Sequence, residues 1–76
     1  MANNRREIPK ERLEKLVASG GKKFVSYKEG AELLSIGLHS FEVLARDANA
    51  IYKIKRRVLV NIQMVYDFME AFHEEN

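Results

Sequence analysis

The chain contains no cysteine, so neither disulfides nor thiolate zinc sites can brace its fold. Histidine is scarce as well: His39 and His73 are the two in the sequence, and they stand far apart, a poor start for a metal site. No metal and no cofactor is expected. Long apolar runs are missing, none approaching the roughly 20 residues that span a bilayer. Residues 1–6 lack the apolar segment of a secretory signal. The expected location is the cytoplasm, with no membrane partner. There is no glycine-rich phosphate loop and no grouping of Ser, His and acid that would activate a nucleophile. Carboxylate pairs such as Glu70 and Glu74 fall near the chain end rather than in a pocket that a small core could build. An enzyme is not expected. Length is short too: 76 residues allow one core and no separate catalytic or regulatory domain. A chain of this size buries only about 60% of the surface that its unfolded form exposes.

Charge is plentiful, and it is sorted by sign. The net value of +2 combines four unlike blocks. Residues 1–23 carry seven Lys/Arg against three Glu, and residues 24–49 carry two against four acids. Residues 50–61 hold Lys53, Lys55, Arg56 and Arg57 with no acid, whereas residues 62–76 hold four acids and no Lys or Arg. A single charge run is usually solvated surface. Two basic blocks flanking a compact middle point instead to a polyanionic partner.

Periodicity and punctuation predict five elements. Pro9 suits a first helical position, and Leu13, Leu16 and Val17 recur at helical spacing before a stop at Ser19, Gly20 and Gly21. Residues 1–23 thus read as a basic arm and a short amphipathic helix, ahead of a domain over residues 24–76. Ser26 and Glu29 have the spacing of a capping box, which starts a second helix carrying Ala31, Leu33 and Leu34. Ser35, Ile36 and Gly37 supply a tight break. Leu38, Phe41, Leu44, Ala45 and Ala48 then follow a 3.6-residue period, which leaves His39, Ser40, Glu42, Val43 and Arg46 on the outer side of a third helix. Residues 50–55 alternate and residues 58–60 are β-branched or aliphatic, so a two-stranded hairpin turning at Lys55, Arg56 and Arg57 is expected. A tight turn without glycine is costly, so the hairpin loop is expected to be longer than two residues. Asn61 can cap a last helix with a stripe of Ile62, Val65, Phe68, Met69 and Phe72. The expected core is Phe24, Leu33, Leu34, Phe41, Leu44, Ile54, Val60, Val65, Phe68 and Phe72, with Met64 and Met69 also packed inside. Tyr52 is expected to pack beside Ile54.

Two helices joined by about three residues form the pattern of a helix-turn-helix, though helical hairpins of other kinds share it. The hairpin that follows adds information, because its turn carries arginines and lysines as a wing does when it meets phosphate or a minor groove. An edge hairpin kept from aggregating by its lysines is the plainer alternative.

Residues 24–37, with an aromatic and a short strand-like entry, an acidic residue before the small pair Gly30 and Ala31, then Leu33 and Leu34 and the turn, resemble the opening of excisionase-type helix-turn-helix domains. Ser40, Phe41 and Leu44 resemble the family's recognition helix, residues 54–60 its wing, and residues 61–72 its closing helix. The resemblance extends to the MerR superfamily and to small winged-helix proteins of bacterial mobile genetic elements. It implies a mainly α fold with a small β-hairpin, a winged helix-turn-helix. It further implies an architectural protein that binds and bends double-stranded DNA and directs site-specific recombination toward excision, placing the chain at the nucleoid. By position, the major-groove face falls on His39, Ser40, Glu42, Val43 and Arg46, and the wing on Lys53, Lys55, Arg56 and Arg57. The DNA backbone would meet Lys22, Lys23, Ser26, Tyr27 and Lys28 near the start of the second helix. A site-specific recombinase is the implied protein partner, with cooperative self-association on DNA.

This sequence departs from that pattern in having one basic residue, Arg46, on its third helix, where Glu42 is acidic. Glu42 can accept from a cytosine amine and Val43 can touch a thymine methyl, but both suit a protein partner equally. His39 fits a phosphate or base contact and a solvated surface position alike. Two further readings therefore stand beside the first: a small MerR-like transcription regulator, and an interaction module that partners a recombinase or relaxosome.

Overall fold

The structure, a computed structural model, describes residues 9–72. Along them run α1 (Lys10–Ala18), β1 (Phe24–Val25), α2 (Tyr27–Leu34), α3 (Leu38–Asp47), β2 (Ile51–Ile54), β3 (Arg57–Asn61) and α4 (Ile62–Ala71). The fold is a small mixed α/β arrangement in which the strands form one antiparallel sheet of order β1-β3-β2. Residues 1–8 of the basic arm, His73 and Glu74 lie outside the described residues.

Several helix ends are set by local chemistry. The box that opens α2 is complete: Ser26 Oγ accepts from Glu29 N at 3.1 Å, and Glu29 Oε1 accepts from Ser26 N at 2.9 Å. Asn61 caps α4, its Oδ1 accepting from Met64 N at 3.2 Å. α1, α2 and α3 close on one left-handed residue each, Gly20 (φ 84°), Ser35 (φ 58°) and Asn49 (φ 57°). In each case the next amide reaches back five residues, from Gly21 to Leu16 O, Ile36 to Ala31 O and Ala50 to Ala45 O. These bonds satisfy carbonyls that a helix end would leave open.

The core lies where α2 packs on β1 and β3, with α3 and α4 contributing side chains to the same buried cluster. Val25, Ala31, Phe41, Ala45, Ala50, Val60, Ile62 and Val65 form one buried cluster, with Leu33, Leu34 and Leu44 half-buried against it. Phe41 is its largest member, and it fits because Gly30 has no side chain: a Cβ there would stand 2.0 Å from Phe41 Cζ. Leu13 of α1 is fully buried and Val17 packs against the cluster.

The expectations need correction at several points. Ile54 is 55% exposed and Phe72 67% exposed. Ile54 lies at the hairpin tip, beyond the helices that pack at the sheet's base, and Phe72 follows the last residue of α4, where its ring meets that of Phe68 at 4.7 Å. Leu38, expected on the apolar side of α3, is exposed at the helix's first position, as is Met69 near the end of α4. Tyr52 is also largely exposed, though its ring meets Phe24 edge-on at 5.4 Å. The sheet has a third strand, because β1 pairs Phe24 with Asn61 and Val25 with Val60. The hairpin turn is the tight two-residue form: Ile54 pairs with Arg57, so Arg57 belongs to β3, and the turn is Lys55 and Arg56. Lys55 accepts φ 57°, taking the left-handed position that glycine would occupy at lower cost.

Candidate nucleic-acid interface

Burial of one side of α3 decides what the other side offers. Phe41 and Ala45 are buried and Leu44 and Ala48 half-buried, which anchors the helix on the core. His39, Ser40 and Arg46 are exposed, and Glu42 and Val43 are half-buried at the margin of the outer surface. His39, Glu42, Val43 and Arg46 follow the i, i+3, i+4, i+7 spacing that makes one helical face. That face carries one cation, Arg46, beside the carboxylate of Glu42.

Residues 48–50 lead directly from α3 into the hairpin, whose chemistry is different. Lys53, Lys55, Arg56 and Arg57 are all exposed, and among the described residues none of them takes part in an ion pair. Their register limits mutual repulsion, since Lys53 stands opposite Val58 and Arg57 opposite Ile54 rather than cation against cation. Four positive charges within five consecutive residues, with no acid from residue 48 to residue 66, make the hairpin tip the most concentrated positive feature of the described chain.

The remaining candidates gather elsewhere. Lys22 and Lys23 precede β1, which pairs at the base of the sheet rather than its tip. Lys22 Nζ lies 3.8 Å from Glu29 Oε1, and Lys23 Nζ stands 6.0 Å from the centre of the Phe24 ring. Ser26 is engaged in its capping box, Tyr27 packs half-buried against the core, and Lys28 is exposed. The start of α2 also lies a helix length, about 12 Å, from the α2–α3 connection. The candidate residues are thus brought together in two groups, α3 with the hairpin and the base of the sheet with the start of α2.

Sequence reasoning missed Lys10. Its Nζ donates to Ser35 Oγ at 2.7 Å, which places the first cation of α1 at the α2–α3 connection beside exposed Ile36 and Leu38. The contact joins residues 25 apart, and no periodic or motif signal reaches across that separation.

Residues 22–72 match the profile of a protein family. The chain belongs to DUF6462, a family of unknown function. The DUF6462 match takes in the capping box of α2, all of α3, the hairpin and α4, and leaves α1 outside. No curated protein and no solved structure gives a match. Among the described residues, no helix is long and apolar enough to cross a membrane, and no three His, Cys, Asp or Glu side chains are grouped to hold a metal ion.

Proposed function

We propose that this chain is a winged helix-turn-helix protein that binds double-stranded DNA and acts by shaping it, as excisionase-like proteins do, rather than by catalysis. In this reading α2 and α3 are the helix-turn-helix, α3 enters the major groove, and the β2–β3 hairpin is the wing. The observation that carries it is the hairpin tip, where four exposed cations, none in an ion pair among the described residues, follow directly on a helix with a polar outer face. Such a tip gains affinity by neutralising phosphates and releasing their counterions, whatever the base sequence. With Arg46 its one cation, α3 offers few base contacts, so a single copy should bind weakly compared with dimeric operator proteins. Several copies on bent DNA recover affinity and read sequence through deformability. The working location is then the cytoplasmic nucleoid. The output is recombination of a mobile element beside a site-specific recombinase, with copies aligned by the acidic 62–76 segment of one and the basic 1–23 segment of the next.

Replacing Arg56 and Arg57 together by alanine tests the wing. Affinity should fall alike for all duplexes, and the slope of log affinity against log salt should flatten by up to about 2. Unchanged affinity and slope in a folded variant would overturn the reading. Circular-permutation gel shifts test the bend, and an unbent, two-fold symmetric complex on a palindrome would mark a MerR-like regulator instead.

A further inference from the structure

The two faces of the sheet meet different surroundings. Side chains alternate along a strand, and directly paired residues share a face. Val25, Ile51 and Val60 therefore point to one side, where the buried cluster receives them. Phe24, Tyr52, Ile54, Arg57 and Leu59 point to the other, with Asn61 beside them. This second side stays open. Tyr52 is 43% exposed and Ile54 more than half, while Phe24 and Leu59 are half-buried. Met64 of α4 borders it, its Sδ accepting from the Tyr52 hydroxyl at 3.6 Å.

The open side joins aromatic rings to positive charge. The Tyr52 ring is held by the Phe24 ring, edge-on at 5.4 Å, and by the contact of its hydroxyl with Met64. At one end Lys23 Nζ stands 6.0 Å from the centre of the Phe24 ring. At the other, Arg57 shares the side with Ile54, its partner across the ladder. Asn61, opposite Phe24, and Arg57 are four strand residues apart, about 13 Å, a span for two or three stacked bases. Lys53 points to the opposite side, and Lys55 and Arg56 form the turn beyond Arg57. All three strands lie in stretches without acid, residues 15–28 and 48–66, and the next carboxylate on α4, Asp67, accepts from Gln63 Nε2 at 2.9 Å. An acid-free surface of aromatic and aliphatic groups between cations complements an anion that carries flat apolar rings. Nucleic acid is that anion. In a duplex the base faces are stacked on one another, so an unpaired strand is the form that can present them.

We propose that this side of the sheet binds single-stranded DNA, a base stacking on Tyr52 with Ile54 and Leu59 beside it, while Lys23 and Arg57 hold the flanking phosphates. The ring is already fixed, so little side-chain freedom is lost on binding. Every base has a π face, which makes the contact insensitive to sequence. The Tyr52 hydroxyl is turned to Met64, and Asn61 is buried beneath its cap of α4. Nothing on this side therefore rewards the 2′-OH of RNA. α3 takes no part, because Phe41 and Ala45 belong to the cluster behind the sheet. Arg57 serves both this surface and the wing, whereas Tyr52 serves this one alone. Single-strand binding is thus a second activity beside the duplex reading and stands without it.

Fluorescence anisotropy of a labelled oligothymidylate of about 12 nucleotides, titrated with the full chain at ~50 mM salt, tests this. Wild type should bind, and Tyr52→Ala should lose about 5- to 100-fold in affinity. Tyr52→Leu keeps an apolar group beside Phe24 and should lose at least about 5-fold, which decides the matter if the alanine variant folds poorly. Tyr52→Phe keeps the ring and should bind as wild type does. An abasic strand of the same length should bind more weakly than oligothymidylate, and equally to wild type and Tyr52→Leu. Arg57→Ala should flatten the salt slope by about 0.7. The chain has three tyrosines and no tryptophan. Tyr27 packs against the core, and Tyr66 lies in a cleft between α1 and α4, where burial and after it the charge of Glu14 push its phenol above the ordinary value. Quenching of tyrosine emission by the strand should therefore come from Tyr52 and vanish in Tyr52→Phe. No binding by the folded wild type would overturn the proposal and leave this side to a protein partner. Equal affinity of wild type and Tyr52→Leu for oligothymidylate, or about tenfold tighter binding of oligouridylate, would overturn it as well. A duplex should bind wild type and both Tyr52→Leu and Tyr52→Phe alike, since α3 and the hairpin cations are intact in each. Duplex binding without single-strand binding would remove this proposal alone, and single-strand binding without duplex binding would remove the duplex reading alone.

Discussion

Replacing Gly30 by alanine should destabilise this protein, although the same change inside an ordinary helix stabilises it by about 1 kcal/mol. The new methyl would stand 2.0 Å from Phe41 Cζ, with Cε2 at 2.3 Å and Cε1 at 2.6 Å. Carbon atoms in contact keep roughly 3.5–4.0 Å, so the ring would have to withdraw by about 1.5 Å. It has no room to do so. Phe41 is fully buried in a cluster with Ala31, Ala45, Val60 and Val65. Overpacking of a core commonly costs 1–3 kcal/mol, sometimes more, and a clash with all three outer ring carbons belongs at the upper end. After the helix gain is subtracted, the net loss should be about 2–3 kcal/mol. A chain of this length has roughly 4–11 kcal/mol in total, so the melting midpoint should drop by about 10–20 °C. Urea titration followed by circular dichroism measures the loss. Phe41→Leu removes the offending ring atoms, so the double variant should cost at least about 1 kcal/mol less than the two single losses added together. A Gly30→Ala protein as stable as wild type, or more so, would refute the view that Gly30 exists to seat Phe41.

Lys55→Gly should raise stability by about 0.5–1 kcal/mol, because glycine takes a positive φ without strain; a loss in urea titration would show that tip contacts favour lysine. Under the DNA reading, that variant should also bind duplexes more weakly, which separates fold from function at one residue. Leu13→Ala should cost about 2–5 kcal/mol, since the side chain is fully buried; a smaller loss in the same assay would mean that α1 is a detachable appendage. The Tyr66 phenol has a raised pKa in the fold, so its contribution is fully present below the ordinary phenol pKa and is lost as pH rises through the higher folded value. Stability measured against pH should therefore fall more steeply above about pH 10 in wild type than in Tyr66→Phe, and parallel curves would exclude this linkage.

Elements whose signals are local could be read from the sequence, and those that depend on distant partners could not. The capping box at Ser26 and Glu29 and the cap at Asn61 lie within one helical turn, and both form as their spacing implies. Phe41, Val60 and Val65 are buried where periodicity puts them. Periodicity gives the direction of a side chain but not whether another layer waits to receive it, which is why Ile54 and Phe72 read as core in the sequence and stand in solvent in the fold. Small residues escape for the opposite reason. Ala50 is fully buried, yet no period marks it, whereas Ala45 is buried where the period of α3 puts it. β1 has two residues, too few to show alternation, and exists because β3 offers an edge. In the candidate interface, the hairpin cations and the outer residues of α3 were legible as a charge block and a helical face. Lys10 was not, because its place beside Ser35 is made by the packing of α1 on α2.

Asn61 ends β3 and caps α4, its N–H donating to Ala50 O at 2.9 Å while the next amide, from Ile62, donates to Lys23 O at 3.1 Å. Strand and helix therefore meet with no linker between them, and the register of one sets the rotational phase of the other. A single residue inserted in β3 below the turn would rotate α4 by about 100° and carry Val65 off the core. The same insertion would turn the strand's side chains over. The hairpin can change length only at its tip and only by residues added in matched pairs, two to each strand if the faces are to be kept. Reach is thus a quantity this architecture can vary freely, whereas the seating of α4 is not, and family members with longer or shorter tips should keep an unbroken count from Val60 to Val65.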